Sequence, residues 1–486
     1  MPGMSEASFF WHDYETFGTD SRRDRAVQFA GIRTNLDLEP IGEPVSLFCQ
    51  PPRDALPQPQ ACLVTGITPQ QAQREGLSEA EFAARVHEEL AAPGTCGVGY
   101  NSLRFDDEFT RQMLYRNFYD PYAREWRNGN SRWDLIDLAR MCHALRPDGI
   151  EWPRRDDGAP SFKLEHLAAA NGLEQRRAHD ALSDVEALIA FARLIRTRQP
   201  RLWKWYFDLR RKQRAFELLD LVRKPALLHV SSRYPAANGC MTMIVPLARH
   251  PTRSNEIIVY DLHSNPVDLI MLDPEDIADR VFTPRADLPE DVERIPLRTI
   301  HANRSPALAP LSVLEGVDTT RVGLDTERCN IHRKELLAAR GIADKVCKVY
   351  AAATDLPPPD DPELALYAGF LPDADRPRLD AVRATPPEEM ARDFGFSDER
   401  YGELLFRYRA RNWPQTLSAE ERARWDDFRR QRIAGGHALS TVSLHGYFDE
   451  LQRLRGEHTG DALGWLDQLE QWGRELATEL DLDIRA

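Results

Sequence analysis

The 486-residue chain lacks most marks of a membrane, secreted or zinc-clip protein. No run approaches the ~18 consecutive apolar residues of a membrane helix, so no membrane association is expected. The opening MPGMSEAS has neither a basic n-region nor an apolar h-region, so no secretory signal is expected. Cysteine is scarce: seven residues, at 49, 62, 96, 142, 240, 329 and 347, none in a CxxC pair. An odd, dispersed set argues against a disulfide framework or a zinc site and points to a reducing, cytoplasmic setting. Positive charge is in deficit, with a net charge of −14. That weighs against indiscriminate coating of nucleic acid, although a local basic groove stays open because a field depends on where the charges sit. Internal repeats and low-complexity tails are missing as well.

What is present is enough for several cores. A prior of ~150 residues per domain gives about three domains. From Ser8 to about Pro200 strand and helix patterns alternate, which implies an α/β sheet flanked by helices. "SFFWHDYET" reads as a strand, and "RAVQFAGIRTNLDLEPIGEPVSLFCQP" as two more with turns at Asn35 and Gly42. "SEAEFAARVHEELAA" is an amphipathic helix with a capping box from Ser78 to Glu81. A basic stretch over 201–224 is followed by strand patterns such as "ALLHVSS", "CMTMIVPLA" and "NEIIVYDL". "TDLPPPDDPE" at 354–363 reads as a linker, and the remainder as helices. The expected division is therefore 8–200, 201–353 and 354–486.

Carboxylates recur in three places. Side chains two apart on a strand share a face, so Asp13 and Glu15 point together while His12 and Tyr14 point away. Two like charges on one face repel unless a cation lies between them, and hard oxygen ligands suit Mg²⁺ or Mn²⁺. "GYNSLRFDDEF" ends a strand at Gly99 and starts a helix carrying Asp106 and Asp107. "AHDALSDVEAL" places His179 on a loop, Asp180 at a helix cap and Asp184 on the early turns. Each feature alone has a plain alternative: an exposed strand face, acids favoured by the helix dipole, a surface histidine.

In order, D-x-E, N-x₃-F-D and H-x₄-D resemble the DEDD exonuclease superfamily, the histidine marking its DEDDh branch. "HDYETFGTD", "AVQFAGIRT", "TGITPQQA", "GYNSLRFDDEFTRQMLYRNFYDPY", "NSRWDLIDLAR", "LRPDGIEWP", "RTRQPRL" and "YRARNWPQTL" are similar to the bacterial exonuclease I family over most of the chain.

The resemblance implies an α/β RNase H-like nuclease domain, a β-rich SH3-like domain and an all-helical C-terminal domain, together enclosing a single DNA strand. It implies stepwise, processive 3′→5′ hydrolysis of single-stranded DNA to 5′-mononucleotides, in DNA repair and recombination, by a likeness-derived monomer. Two Mg²⁺ ions, replaceable by Mn²⁺, would be served by Asp13, Glu15, Asp106 and Asp184, with Asp106 acting from behind the others or through water, Glu15 also touching the terminal nucleotide and His179 as general base. The N-x₃-F-D register favours Asp106 over Asp107. Thr16, Phe17, Arg111, Tyr122, Trp126, Arg140 and Lys163 would meet DNA, although Phe17 equally suits a strand-end core position. For 201–224 a solvated helix face, a lining of the DNA path and a partner surface all stand. The family implies docking of the acidic C-terminal tail of single-stranded-DNA-binding protein, with Arg146, Trp205 and Lys224 contributing. A DEDDh enzyme acting on RNA or short oligonucleotides is the rival, and ~280 residues beyond the nuclease region weigh against it.

Overall fold

The structure, a computed structural model, describes residues 7–173, 180–352 and 357–484. They group into two compact units. The first holds Met1–Ser131, Gln175–Glu186 and Pro357–Ala486, and the second holds Arg132–Glu174 and Ala187–Leu356.

In the first unit the aromatic run near the N-terminus becomes Ser8–Thr16 (β1). It pairs antiparallel with Ala26–Thr34 (β2), which pairs antiparallel with Val45–Phe48 (β3). On its other side β1 runs parallel to Thr95–Gly99 (β4), giving the order β3-β2-β1-β4. A strand in this position is covered on both faces, which is why it reads as a near-continuous apolar run. Phe9, Phe10 and Trp11 are all buried. Phe10, Tyr14 and Phe29 meet Phe82 and Val86 of the helix Glu79–Ala91, which opens with the Ser78–Glu81 capping box.

The C-terminal helices complete this unit. They include Arg400–Asn412, Ala419–Ala434, Leu444–Glu457 and Asp461–Glu479. Phe17, Val27 and Cys62 share one core with Tyr447, Leu466 and Trp472. Beside it lies a buried ionic network. Asp54 pairs with Arg411 at 2.8 Å and Arg432 at 2.5 Å. Glu363 pairs with Arg25 at 2.9 Å, Arg407 at 3.1 Å and Arg411 at 2.7 Å. Such pairs hold only if every member is satisfied, because a stranded charge keeps its full desolvation cost. The stretch read as a linker therefore ends inside the core: Asp361 and Glu363 are buried and accept from Arg407.

The strand Ser131–Asp134 (β5) straddles the division between the units. The second unit is built on five strands: Leu227–Val230 (β6), Met241–Arg249 (β7), Glu256–Asp261 (β8), Leu297–His301 (β9) and Ala307–Pro310 (β10). They run β10-β6-β7-β8-β9 with every neighbour antiparallel. Trp133 anchors a second packing centre in this unit, 4.7 Å from Trp203 and 5.0 Å from Phe207 between ring centroids. None of the seven cysteines forms a disulfide. Among the described residues no helix is long and apolar enough to cross a membrane.

Candidate active site

Asp13 and Glu15 leave one face of β1, as the two-residue period requires. Asp184 reaches them from the helix Ala181–Arg198. Asp180 caps that helix, accepting from the N–H groups of Leu182 at 3.1 Å and Ser183 at 3.3 Å. One carboxylate oxygen from each of Asp13, Glu15 and Asp184 lies within 4.8 Å of the other two.

Asp106 stands behind this trio. The approach to it is set by Asn101, whose φ of +63° is a left-handed conformation that asparagine tolerates better than most residues. The turn closes with Arg104 N–H on the Asn101 carbonyl and Asp107 N–H on that of Ser102. Asp106, now at the head of the helix Asp106–Arg116, accepts from the Tyr14 N–H at 3.2 Å. Tyr14 lies between Asp13 and Glu15, so this bond ties the helix to the strand.

Neighbouring residues on a helix point about 100° apart. Asp107 accordingly turns the other way and pairs with Arg124, both nearly fully buried. His12 lies on that second side. Burial lowers its pKa to about 4, so it stays neutral near pH 7.

The electrostatics describe a site short of positive charge. Burial, with Asp184, Asp106 and Asp180 adding repulsion, raises Glu15 to about 8. Asp13 is raised well above the usual carboxylate range by burial and by Asp106, Glu15 and Asp184. Three oxygen donors that repel one another in a buried pocket match the chemistry of a hard divalent cation. The residues present thus fit a metal of that kind.

The other expected residues fall in varied surroundings. The Thr16 hydroxyl donates to the Gly18 carbonyl at 2.7 Å. Phe17 is 3% exposed and belongs to the core with the C-terminal helices. Arg111 is buried, bonded to Glu125 at 2.7 Å and Glu108 at 2.8 Å, with its guanidinium over the Tyr122 ring. Trp126 is 62% exposed. His179 lies outside the described residues.

In the second unit, Arg140 pairs with Asp137 at 2.6 Å, and Lys163 reaches Glu165 at 3.2 Å from an exposed position. Arg146 donates to the Val313 carbonyl at 3.0 Å, and the Trp205 indole N–H donates to the Leu308 carbonyl at 2.8 Å. Lys224 has φ +47° and its carbonyl accepts from Arg333. Sequence reading missed the Asp107–Arg124 pair and the proximity of Asp180 to Glu15. Only the position of Asp180 inside H-x₄-D hinted at the latter.

Family models agree along almost the whole chain. An exonuclease model matches residues 10–192, the exonuclease I SH3-like domain residues 210–352, and the exonuclease I C-terminal domain residues 360–476. The chain belongs to the exonuclease I family.

Exodeoxyribonuclease I of Escherichia coli K12 is 44% identical over 477 residues, covering 98% of this chain and 99% of that protein. A solved exonuclease I from Methylocaldum szegediense superposes with a TM-score of 0.93 at 50% identity, covering 97% of this chain and 99% of that one. A zinc-bound E. coli exonuclease I–single-stranded DNA complex gives 0.91 at 43% identity, covering 97% and 100%. A further solved structure, of single-stranded-DNA-binding protein and exonuclease I with an inhibitor, gives a TM-score of 0.90 at 42% identity, covering 97% and 100%. Exonuclease I architecture therefore holds here: an RNase H-like nuclease domain, an SH3-like domain and a helical C-terminal domain.

Proposed function

We propose that this exonuclease I family member degrades single-stranded DNA processively from the 3′ end to 5′-mononucleotides, in DNA repair and recombination. The observation that carries the reading is the convergence of Asp13, Glu15 and Asp184 within 4.8 Å, in a chain that matches the family end to end. Such a trio is poorly suited to stand alone and well suited to hold a divalent cation.

Asp13, Glu15 and Asp184 would hold two divalent cations, Mg²⁺ with Mn²⁺ as a substitute, which when bound would supply positive charge for phosphodiester hydrolysis. Asp106 acts at one remove, fixing β1 through the Tyr14 N–H and adding negative charge behind Asp13. His179 takes the proton from the attacking water, a task suited to an imidazole. Glu15 and Thr16 border the terminal nucleotide. Arg111, Tyr122, Trp126, Arg140 and Lys163 grip the strand, and Trp126 is the ring most open to a base.

The boundaries 8–200, 201–353 and 354–486 delimit nuclease, SH3-like and helical domains. Arg146, Trp205 and Lys224 receive the acidic tail of single-stranded-DNA-binding protein. The protein works as a monomer in the cytoplasm.

Replacing Asp13 with Ala tests the site. It is expected to abolish Mg²⁺-dependent nucleotide release while the protein stays folded; retained release overturns the assignment. In parallel, the wild type should consume single-stranded DNA well ahead of RNA of equal length, and the reverse order overturns the substrate.

A further inference from the structure

Just past Glu15 the regular pairing of β1 breaks. Its register with β2 slips, Glu15 facing Gln28 and Thr16 facing Ala26. Such a bulge bends the strand and re-aims the side chains beside it. The turn that follows is tied down at each step. Phe17 N–H bonds to the Arg25 carbonyl at 2.9 Å, and Gln58 N–H to the Phe17 carbonyl at 2.8 Å.

Asp24 stands at the centre of this turn and is 5% exposed. One carboxylate oxygen accepts from the Asp20 N–H and from the Gln58 side-chain amide, both at 2.9 Å. The other accepts from the Thr441 hydroxyl at 2.9 Å. Gly18 lets the carboxylate close on the chain. A β-carbon there would lie 2.2 Å from the Asp24 oxygen and 2.6 Å from the Gln58 amide nitrogen. Thr441 belongs to the loop between the helices Ala419–Ala434 and Leu444–Glu457. Two more bonds join that region to the turn. Arg23 donates to the Ala438 carbonyl at 2.7 Å, and Arg432 donates to the Arg23 carbonyl at 2.8 Å.

All three donors to Asp24 are uncharged, unlike the arginines that hold Asp54 and Glu363. Burial raises its pKa accordingly. A buried carboxylate with no bonded cation is costly to keep ionised. Stability here is already supplied by Phe17, packed with Tyr447 and Trp472. Features that cost stability are expected where function needs them.

We propose that Asp24 is a positioning residue for the carboxylate site: it sets where the end of β1 places Glu15 and Thr16, and through Thr441 it makes the C-terminal helices part of that setting. The inference rests on the proposed metal-dependent activity of that site. Asp24 acts through the turn, and Thr441 acts through Asp24.

The test uses the full-length protein. Mn²⁺ binding without DNA is read from the electron paramagnetic resonance of the free ion. DNA binding is read by anisotropy of fluorescein-labelled oligothymidylate in EDTA, and folding by the urea midpoint. Thr441→Val is expected to weaken Mn²⁺ binding about tenfold and Asp24→Ala about 10–100-fold, the range found when partners behind metal ligands are removed. Thr441→Ser keeps the hydroxyl and should bind Mn²⁺ like the wild type. Oligothymidylate affinity should stay at the wild-type value in all three. If Asp24→Ala fails to fold, Thr441→Val carries the test, because it removes a single bond from a loop outside the sheet. Wild-type Mn²⁺ affinity in Thr441→Val overturns the positioning role, whether or not the urea midpoint falls. So does weakened Mn²⁺ binding in Thr441→Ser, or a loss of oligothymidylate affinity as large as the loss for Mn²⁺. Wild-type nucleotide release with Mg²⁺ is measured alongside. Its absence refutes the proposed activity, whereas normal release with unchanged Mn²⁺ binding in the variants refutes the positioning role alone.

Discussion

Asp106 and Asp107 are consecutive, yet Asp106 accepts from Tyr14 N–H on the side of Asp13 while Asp107 pairs with Arg124 on the side of His12. Two acids that look interchangeable in the sequence therefore have separable effects. Asp106→Asn is expected to lower metal-dependent activity about 10–100-fold with little change in stability. Asp107→Ala strands the Arg124 charge in the interior and is expected to cost about 3–5 kcal/mol. Urea unfolding and steady-state kinetics on both variants check this; a stability loss confined to Asp106→Asn contradicts it.

Metal binding should release protons. Glu15 is raised to about 8 and Asp13 is raised well above the carboxylate range, so the metal-free fold holds protons that the unfolded chain has lost above about pH 4.5. The sign follows: these two groups make the metal-free protein less stable as pH rises from about 4.5 to 8. A cation that binds the ionised forms reverses this. The Tm increase caused by Mg²⁺ is expected to be larger at pH 8 than at pH 6, and calorimetry in buffers of different ionisation enthalpy should show proton release.

The buried network acts in the opposite sense and in a lower window. Arginines hold Glu363 well below its ordinary value, and Arg411 and Arg432 do the same for Asp54. A depressed carboxylate contributes stability that is present above its unfolded pKa and lost as pH falls through its folded pKa. Loss of stability is thus expected to steepen below about pH 4. Asp54→Ala, which leaves Arg411 and Arg432 unpaired, should cost about 3–5 kcal/mol and blunt that steepening. Thermal melts from pH 3 to 7 on both proteins measure it.

Phe17 distinguishes packing from substrate contact. At 3% exposure in a core with Tyr447 and Trp472, Phe17→Ala is expected to cost about 3–5 kcal/mol. Trp126→Ala, at an exposed position, should leave stability within about 0.5 kcal/mol and weaken single-stranded DNA binding. Denaturant midpoints and anisotropy on the two variants separate these outcomes.

What could be read from the chain depended on the range of the interactions. Asp13 and Glu15 were legible because strand alternation is a two-residue rule. The Ser78–Glu81 box and the Asp180 cap were legible for the same local reason. The choice between Asp106 and Asp107 was open because adjacent helical acids differ only in what the folded protein puts beside each. The ionic network was invisible. Arg407 and Arg411 sit in "FRYRARN", which reads simply as part of a helix, and Arg411 meets Asp54 only in the fold. Asp361 and Glu363 were hidden within a proline-rich stretch whose composition signals a linker. Asp24 lay beyond sequence reading too, since only the fold brings Thr441 to its carboxylate.

The most direct test of the account is digestion of a single-stranded oligonucleotide labelled at one end only, with Mg²⁺. Early release of a 3′ label as mononucleotide, with a 5′ label retained on progressively shorter products, is the predicted result. Early release of the 5′ label, or cleavage that leaves both end labels on internal fragments, contradicts it.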